Sequence, residues 1–199
     1  MGDRWLVVGL GNPGPRYAGN RHNVGWHVVD RLADLSGIAL SRAKFKGRYG
    51  NGDYAGQSLV LLEPDTFMNL SGQSVSPARS FFEVEPARIL VVHDELDLPF
   101  GTLRLKVGGG HGGHNGLRSI MAELGTGDFV RLRVGIGRPP KGDAAGFVLQ
   151  DFGPEERPWL SDLNDRAAAA IRRALEEGPA KAMNVVNAEA VLPKAGRSA

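Results

Sequence analysis

Apolar residues along the chain follow two spacings, which predict an alternation of strands and helices. Continuous apolar runs are typical of strands covered on both faces of a largely parallel α/β sheet, and strict alternation indicates strands with one polar face. Strands are predicted at residues 5–10, 46–54, 57–62, 89–92, 103–107 and 130–136. Helices are predicted at 24–35, from about 72 to 84, and at 117–124, 160–174 and 180–188.

Pro77 is expected to break or kink the second of these helices unless its regular part starts there, because proline lacks a backbone donor. The pattern as a whole predicts a single α/β domain over residues 1–188. Residues 189–199 are predicted to form a flexible C-terminal tail.

The loop at 11–23 joins the first strand to the first helix and carries His22 near its end. Asn20 or Asn23 is expected to cap that helix. A helix N-terminus disfavours an imidazolium ion, so this position suits a neutral histidine that acts as a general base. Asp94 follows the buried strand 89–92, where it can orient such an imidazole and stabilise its protonated form.

Six glycines of the segment 108–116 surround His111, His114 and Asn115, between a predicted strand and a predicted helix. So many glycines are expected where the backbone turns sharply or approaches a ligand closely. His111 and His114 are spaced as two possible metal ligands, but a glycine loop fixes coordination geometry poorly. The glycines at 9–14 match a dinucleotide-binding pattern, although Pro13 and Pro15 exclude the helix that this site needs.

Asn12, Asn69 and Asn115 lie at the mouths of predicted elements. Each has an ordinary explanation, Asn12 as a turn residue and the other two as helix caps. Together they could line one polar site, because side-chain amides bind peptide groups or an oxyanion without adding charge.

Four cations alternate with apolar residues on two predicted strands: Arg104, Lys106, Arg131 and Arg133. They could be an ordinary solvated face. If the two strands are neighbours, they form a phosphate-binding patch.

Composition narrows the chemistry further. The 199 residues are 42% hydrophobic, enough for one substantial core, and the net charge is only +2. With no apolar run long enough for a bilayer and no signal-peptide pattern, a soluble cytoplasmic protein is expected. The absence of cysteine excludes thiolate nucleophiles and cysteine-bound zinc.

Seven segments, in order along most of the chain, resemble the bacterial peptidyl-tRNA hydrolase family. They are 8–14 (VGLGNPG), Tyr17, 21–23 (RHN), 67–72 (FMNLSG), 93–99 (HDELDLP), 108–117 (GGGHGGHNGL) and 129–137 (FVRLRVGIG). The resemblance implies cleavage, without metal or cofactor, of the ester between peptide and tRNA in peptidyl-tRNA released prematurely from ribosomes. It also implies a monomer with a twisted mixed sheet flanked by helices on both faces.

The same resemblance implies a role for each matching residue. His22 activates water and Asp94 stabilises its catalytic form, while Asn12 discriminates peptidyl from free aminoacyl substrates. The other implied substrate-binding residues are Tyr17, Phe67, Met68, Asn69, His114 and Asn115, and those implied to contact tRNA phosphate are Arg104, Lys106 and Arg133. Arg104 stands where the family often has lysine.

Two other functions are compatible with the residue pattern. A non-enzymatic RNA-binding protein would use the basic strands without needing His22 and Asp94. A metal-dependent hydrolase of small esters would use histidine and carboxylate as ligands and would lose activity to a chelator.

Overall fold

A computed structural model describes residues 4–189 and Leu192 of the chain. Within that part no helix combines the length and apolar character needed to cross a membrane. The strands are β1 Arg4–Gly9, β2 Arg42–Lys44, β3 Gly47–Tyr54, β4 Gln57–Pro64, β5 Ile89–Glu95, β6 Leu103–Val107 and β7 Val130–Gly135. The helices are α1 Val24–Ser36, α2 Gly72–Phe81, α3 Asn115–Leu124, α4 Ala144–Val148, α5 Leu160–Glu177 and α6 Pro179–Val186.

The strands form one seven-stranded sheet in the order β2-β3-β4-β1-β5-β7-β6. The four central strands β4, β1, β5 and β7 are parallel, and antiparallel pairing adds β3 and β2 at one edge and β6 at the other. The predicted α/β fold, with a mixed sheet that is parallel in its core, is therefore confirmed.

Helices cover both faces of the sheet because the central strands are apolar on both. Trp5 and Val7 of β1 belong to the core beneath α1, α5 and α6. Leu6 and Val8, which alternate with them, belong to a second core beneath α2 and α3. The continuous apolar run at the start of the chain thus has the two-sided burial that its pattern predicts.

The predicted break in α2 is wrong, because the helix continues through Pro77 from Gly72 to Phe81. Pro77 lies on the exposed side of the helix, where water can bond the carbonyl that loses its partner. The opposite side is held by packing on α3, including a hydrogen bond from the Gly72 amide to Ser119 Oγ at 2.9 Å. Strand β2 has no apolar face, since all three residues are exposed, and the sequence pattern did not predict it.

The C-terminal boundary stays a prediction. Apart from Glu189 and Leu192, the expected tail at 189–199 lies outside the described residues. Leu192 is buried and belongs to the core on the α5 side.

Helix α1 begins in direct contact with the sheet backbone. A Cβ built on Gly25 would lie 2.4 Å from the carbonyl oxygen of Val92 in β5 and 2.5 Å from the amide nitrogen of Leu10. No side chain fits in that space. Because Gly25 is three residues after His22, this close approach brings the histidine to the carboxyl ends of β1 and β5.

Gly25→Ala should therefore lower the free energy of unfolding by about 2 kcal/mol or more, because the added methyl forces the helix off the sheet. Urea unfolding measures the change. Gly110→Ala is the matched control, since a Cβ there meets nothing within 4 Å and the backbone needs no positive φ. Equal stability of the two variants would contradict the close-packing argument.

Candidate active site

His22 and Asp94 meet at the end of the sheet. His22 lies in the 3-10 turn Arg21–Asn23 that precedes α1, and Asp94 is near the end of β5. The Nδ1 atom of His22 is 2.9 Å from Oδ1 and 2.8 Å from Oδ2 of Asp94. The Asp94 side chain is 2% exposed and that of His22 is 12% exposed, so the pair is shielded while the imidazole keeps access to solvent. The two side chains thus lie within hydrogen-bond distance, as a general base and the carboxylate that orients it would.

A second imidazole binds the same carboxylate. Nε2 of His114 is 2.8 Å from Asp94 Oδ1. Its Nδ1 atom accepts hydrogen bonds from the backbone amides of Gly116 at 3.1 Å and Leu117 at 3.3 Å. Because Nδ1 accepts, a neutral His114 carries its proton on Nε2 and donates it to Asp94.

These contacts also define the state of His22. Asp94 accepts a hydrogen bond from each imidazole, which places the proton of a neutral His22 on Nδ1 and leaves Nε2 with a free lone pair. Burial would raise the pKa of Asp94, but His22 and His114 outweigh it and hold that pKa well below its usual range. Asp94 is therefore a carboxylate whenever the protein is folded at neutral pH.

His93 packs against the groups that surround the Asp94 carboxylate. Its Nδ1 atom is 2.8 Å from the backbone oxygen of Asp94, and its ring packs edge-on against His114 at 4.9 Å. Complete burial, assisted by the neighbouring His114, lowers the pKa of His93 to about 3. His93 is thus a neutral structural group.

Asn12 ties the β1 loop to two neighbouring segments. Its backbone amide donates to Asn23 Oδ1 at 2.9 Å, and Asn23 Nδ2 donates back to its carbonyl at 3.0 Å. Its side-chain oxygen accepts from the amide of Met68 at 2.7 Å. Among the described residues nothing accepts a hydrogen bond from Asn12 Nδ2, so this donor is available to a bound group.

The capping predictions are wrong, each for its own reason. Asn69 lies in the 3-10 turn Met68–Leu70 and does not cap α2, which begins after Ser71. Asn23 makes no capping hydrogen bond to α1 because its amide is engaged with Asn12, and Asn20 makes none either. Asn115 is the first residue of α3 and not its cap, which is the imidazole of His114. The asparagine side chain is thereby left exposed at the helix start.

A cavity of about 530 Å³ opens beside these groups. The predicted residues that line it are Asn12, His22, Phe67, Met68, Asn69, Asp94, His114 and Asn115. Tyr17 stands outside the lining and packs edge-on against Phe67 with ring centroids 6.5 Å apart. The glycine- and proline-rich segment 138–154 is predicted from the sequence as a candidate lid or binding loop, but the helix α4 within it is not. Ala144, Ala145, Val148 and Leu149, of α4 and its end, form an apolar wall of the cavity. The signal for this helix was weak, because glycine and proline around it indicated only a loop.

His22, Asp94 and His114 also place their ligand atoms within 4.8 Å of one another, as a metal site would. The imidazole nitrogens already lie at hydrogen-bond distance from the carboxylate, however, so an ion between them would have to break both contacts. His111, the other metal ligand considered from the sequence, is not part of this group of three residues. Its Nδ1 atom accepts from the Gly113 amide at 3.0 Å.

The basic strands are neighbours, with Arg104 opposite Arg133 and Lys106 opposite Arg131. Arg133 forms an ion pair with Glu95, Nη2 to Oε1, at 3.1 Å and stays partly exposed. Arg131 does not belong to an open phosphate patch, because it is 2% exposed. Its guanidinium donates to backbone carbonyls of Gly109, Gly110 and Gly127. Alternation along β7 could not show that the glycine loop covers this one cation.

Comparisons with known proteins agree over nearly the whole chain. The family model described as peptidyl-tRNA hydrolase matches residues 6–194. A peptidyl-tRNA hydrolase from Geobacter sp. (strain M21) is 51% identical over 183 residues, covering 92% of this chain and 97% of that protein. One from Sorangium cellulosum is 51% identical over 195 residues, covering 96% of this chain and 86% of that protein.

Solved structures give the same result. The crystal structure of peptidyl-tRNA hydrolase from Acinetobacter baumannii is 45% identical with a TM-score of 0.87. The match covers 94% of this chain and 96% of that one.

The low pKa of Asp94 predicts how acid affects stability. A carboxyl whose pKa is depressed by folding contributes stability that is fully present above its unfolded pKa, near 3.8, and that is lost progressively as the pH falls from there through the lower folded pKa. Asp94→Asn should therefore be less stable than the parent at pH 7, and the difference should shrink below about pH 4.

Urea unfolding at pH 7 and at pH 3 measures this difference, with the exposed Asp53→Asn as control. A stability difference that stays constant across this range would contradict the inferred hydrogen bonds to the carboxylate.

Proposed function

The chain belongs to the peptidyl-tRNA hydrolase family, and we propose that His22 is the general base with which it hydrolyses its substrate. The enzyme cleaves peptidyl-tRNA at the ester between peptide and tRNA. The comparisons support neither a non-enzymatic RNA-binding protein nor a metal-dependent hydrolase of small esters. The physiological substrate in our proposal is peptidyl-tRNA that ribosomes release prematurely, so that the reaction recycles free tRNA.

The contact between His22 Nδ1 and Asp94 carries the proposal. With Nδ1–H donated to the carboxylate, Nε2 removes a proton from water, which attacks the ester carbonyl. Asp94 stabilises the imidazolium that forms, and the proton then passes to the leaving ribose oxygen. His114 holds the carboxylate in place through Nε2. No covalent intermediate and no cofactor is needed for these steps.

Three amides are proposed to bind the acyl part of the substrate. Asn12 offers its Nδ2, which has no acceptor among the described residues, to the cavity that His22 also lines, and Asn69 and Asn115 are exposed at the same cavity. Such donors can hold the peptide group next to the ester and the oxyanion that develops during attack. Phe67 and Met68 supply apolar surface, and Tyr17 supports Phe67 from outside.

Arg104, Lys106 and Arg133 are proposed to contact tRNA phosphate. They lie on β6 and β7, next to the glycine loop that bears His114. Arg133 is paired with Glu95, which also lines the cavity, so an arriving phosphate competes with a carboxylate already in place. Phosphate binding at Arg133 is therefore linked to the position of Glu95 at the edge of the cavity.

The proposal also includes the state and place of the enzyme. His22, Asp94, His114 and Asn12 line one cavity of a single chain, so a second copy is not needed to complete the site. We therefore propose a monomer. Because its substrate comes from ribosomes, we propose that it works in the cytoplasm.

Replacing the base tests the catalytic assignment. His22→Ala should lower kcat by about 100-fold or more, because general-base assistance is lost, while tRNA affinity stays near that of the parent. Hydrolysis of N-acetylated aminoacyl-tRNA in the presence of a chelator measures this. His27→Ala is the matched control, since that imidazole is hydrogen-bonded to the carbonyl of Ala18 and does not belong to the cavity lining. Near-normal turnover of His22→Ala would refute the base assignment.

Replacing a phosphate contact tests the tRNA assignment. Arg133→Ala should raise KM for peptidyl-tRNA and make the dependence of log KM on log salt shallower by about one phosphate contact. It should change hydrolysis of a minimal ester without the tRNA body much less. Arg172→Ala, which removes an exposed arginine of α5, serves as control. Equal losses on both substrates would contradict the phosphate role.

A further inference from the structure

Arg21, the residue before the proposed base, is buried between two segments that are far apart in sequence. Its Nη2 atom lies 2.7 Å from Oε2 of Glu156, with the two side chains only 7% and 12% exposed. The same carboxylate oxygen accepts the amide of Gly153 at 2.7 Å. Among the described residues, Nε and Nη1 of Arg21 have no hydrogen-bond partner.

Aromatic rings occupy the place of those partners. The guanidinium carbon of Arg21 lies 4.1 Å from the ring centroid of Phe147 in α4 and 5.7 Å from that of Phe152. A planar guanidinium suits both contacts, since it stacks on a ring while its edge binds a carboxylate. Arg21 therefore binds the face of α4 that points away from the cavity.

Backbone contacts connect the same two segments. The amide of Arg21 donates to the carbonyl of Gln150 at 3.0 Å. Asn20 Nδ2 donates to Asp151 Oδ1 at 2.7 Å, and these two residues also form an isolated β-bridge. The turn that carries His22 and the end of α4 are thus joined on both sides of the arginine.

The other face of α4 forms the apolar wall of the cavity, through Ala145, Val148 and Leu149. Leu149 is 44% exposed, so it presents apolar surface to the cavity that it lines. The nearest cation of the lining, Arg138, is held by Asp97 at 2.6 Å. This wall is suited to uncharged apolar side chains, whereas the cations proposed to contact tRNA lie on β6 and β7.

We propose that Arg21 is a positioning residue that holds α4, through Glu156 and Phe147, as the wall on which apolar side chains of the bound peptide pack. The inference rests on the proposed assignment of this cavity to the peptide. In this role Arg21 affects which peptides bind, although it touches no reacting atom. Loosening α4 weakens binding of bulky apolar peptides and leaves His22 and Asp94 able to react.

The test compares two substrates, tRNA bearing N-acetylglycine and tRNA bearing an N-acetylated trileucine. Glu156→Gln should raise KM for the trileucyl substrate about tenfold, KM for the glycyl substrate less than about twofold, and change kcat little. Arg21→Lys keeps the charge but loses the planar stack, so a smaller change of the same kind is expected. Hydrogen exchange of the α4 amides should become faster in both variants.

Asp165→Asn is the matched control, because it removes an arginine ion pair between α1 and α5 that does not involve α4. A single substitution leaves one buried charge without its partner, so the double variant Arg21→Met with Glu156→Gln covers the case of poor folding. It should show the same split between substrates.

Equal KM changes for both substrates, unchanged KM values, or unchanged exchange of α4 would overturn the proposal. Its failure is separable from failure of the base assignment, which depends on the His22→Ala result alone.

Discussion

The carboxylate of Asp94, shared by two imidazoles, is the interaction on which the site depends. A buried carboxylate is costly unless each charge-bearing oxygen is hydrogen-bonded, and His22 and His114 supply those bonds. The two histidines come from opposite sides, one from the turn before α1 and one from the glycine loop before α3. Asp94 therefore brings together the end of β5, the turn before α1 and the glycine loop before α3.

Further contacts hold both partners of the carboxylate in place, and for His114 they also select the position of the proton. His114 caps α3 with Nδ1, so its remaining nitrogen faces Asp94 as a donor. Asn12 and Asn23 bind each other through amide and backbone, which holds the loop after β1 against the turn that carries His22. The glycines around His114 allow this geometry, and the buried Arg131 holds their carbonyls. The glycine loop is thus a wall of the site, and the hydrogen bonds of Arg131 hold that loop in place.

Much of the fold follows from local pattern, because apolar spacing reports which faces are buried. The two-sided burial of β1 and the pairing of His22 with Asp94 were both predictable, since parallel strands end at one edge. Whether a given polar residue is buried or exposed was not predictable in this way. Arg131 and Arg133 have the same alternation, yet one is covered by the glycine loop and the other meets solvent. The apolar wall of α4 was also hidden, because its position depends on a distant contact between Arg21 and Glu156.

The proposed mechanism requires that Asp94 holds the neutral His22 as the Nδ1–H tautomer and leaves Nε2 free as the base. Nitrogen-15 NMR of the imidazole side chains in the free enzyme, at a pH at which both rings are neutral, measures the tautomer directly. We expect the proton of His22 on Nδ1 and that of His114 on Nε2. A proton found on Nε2 of His22 would contradict the account, because that nitrogen could then not accept a proton from water.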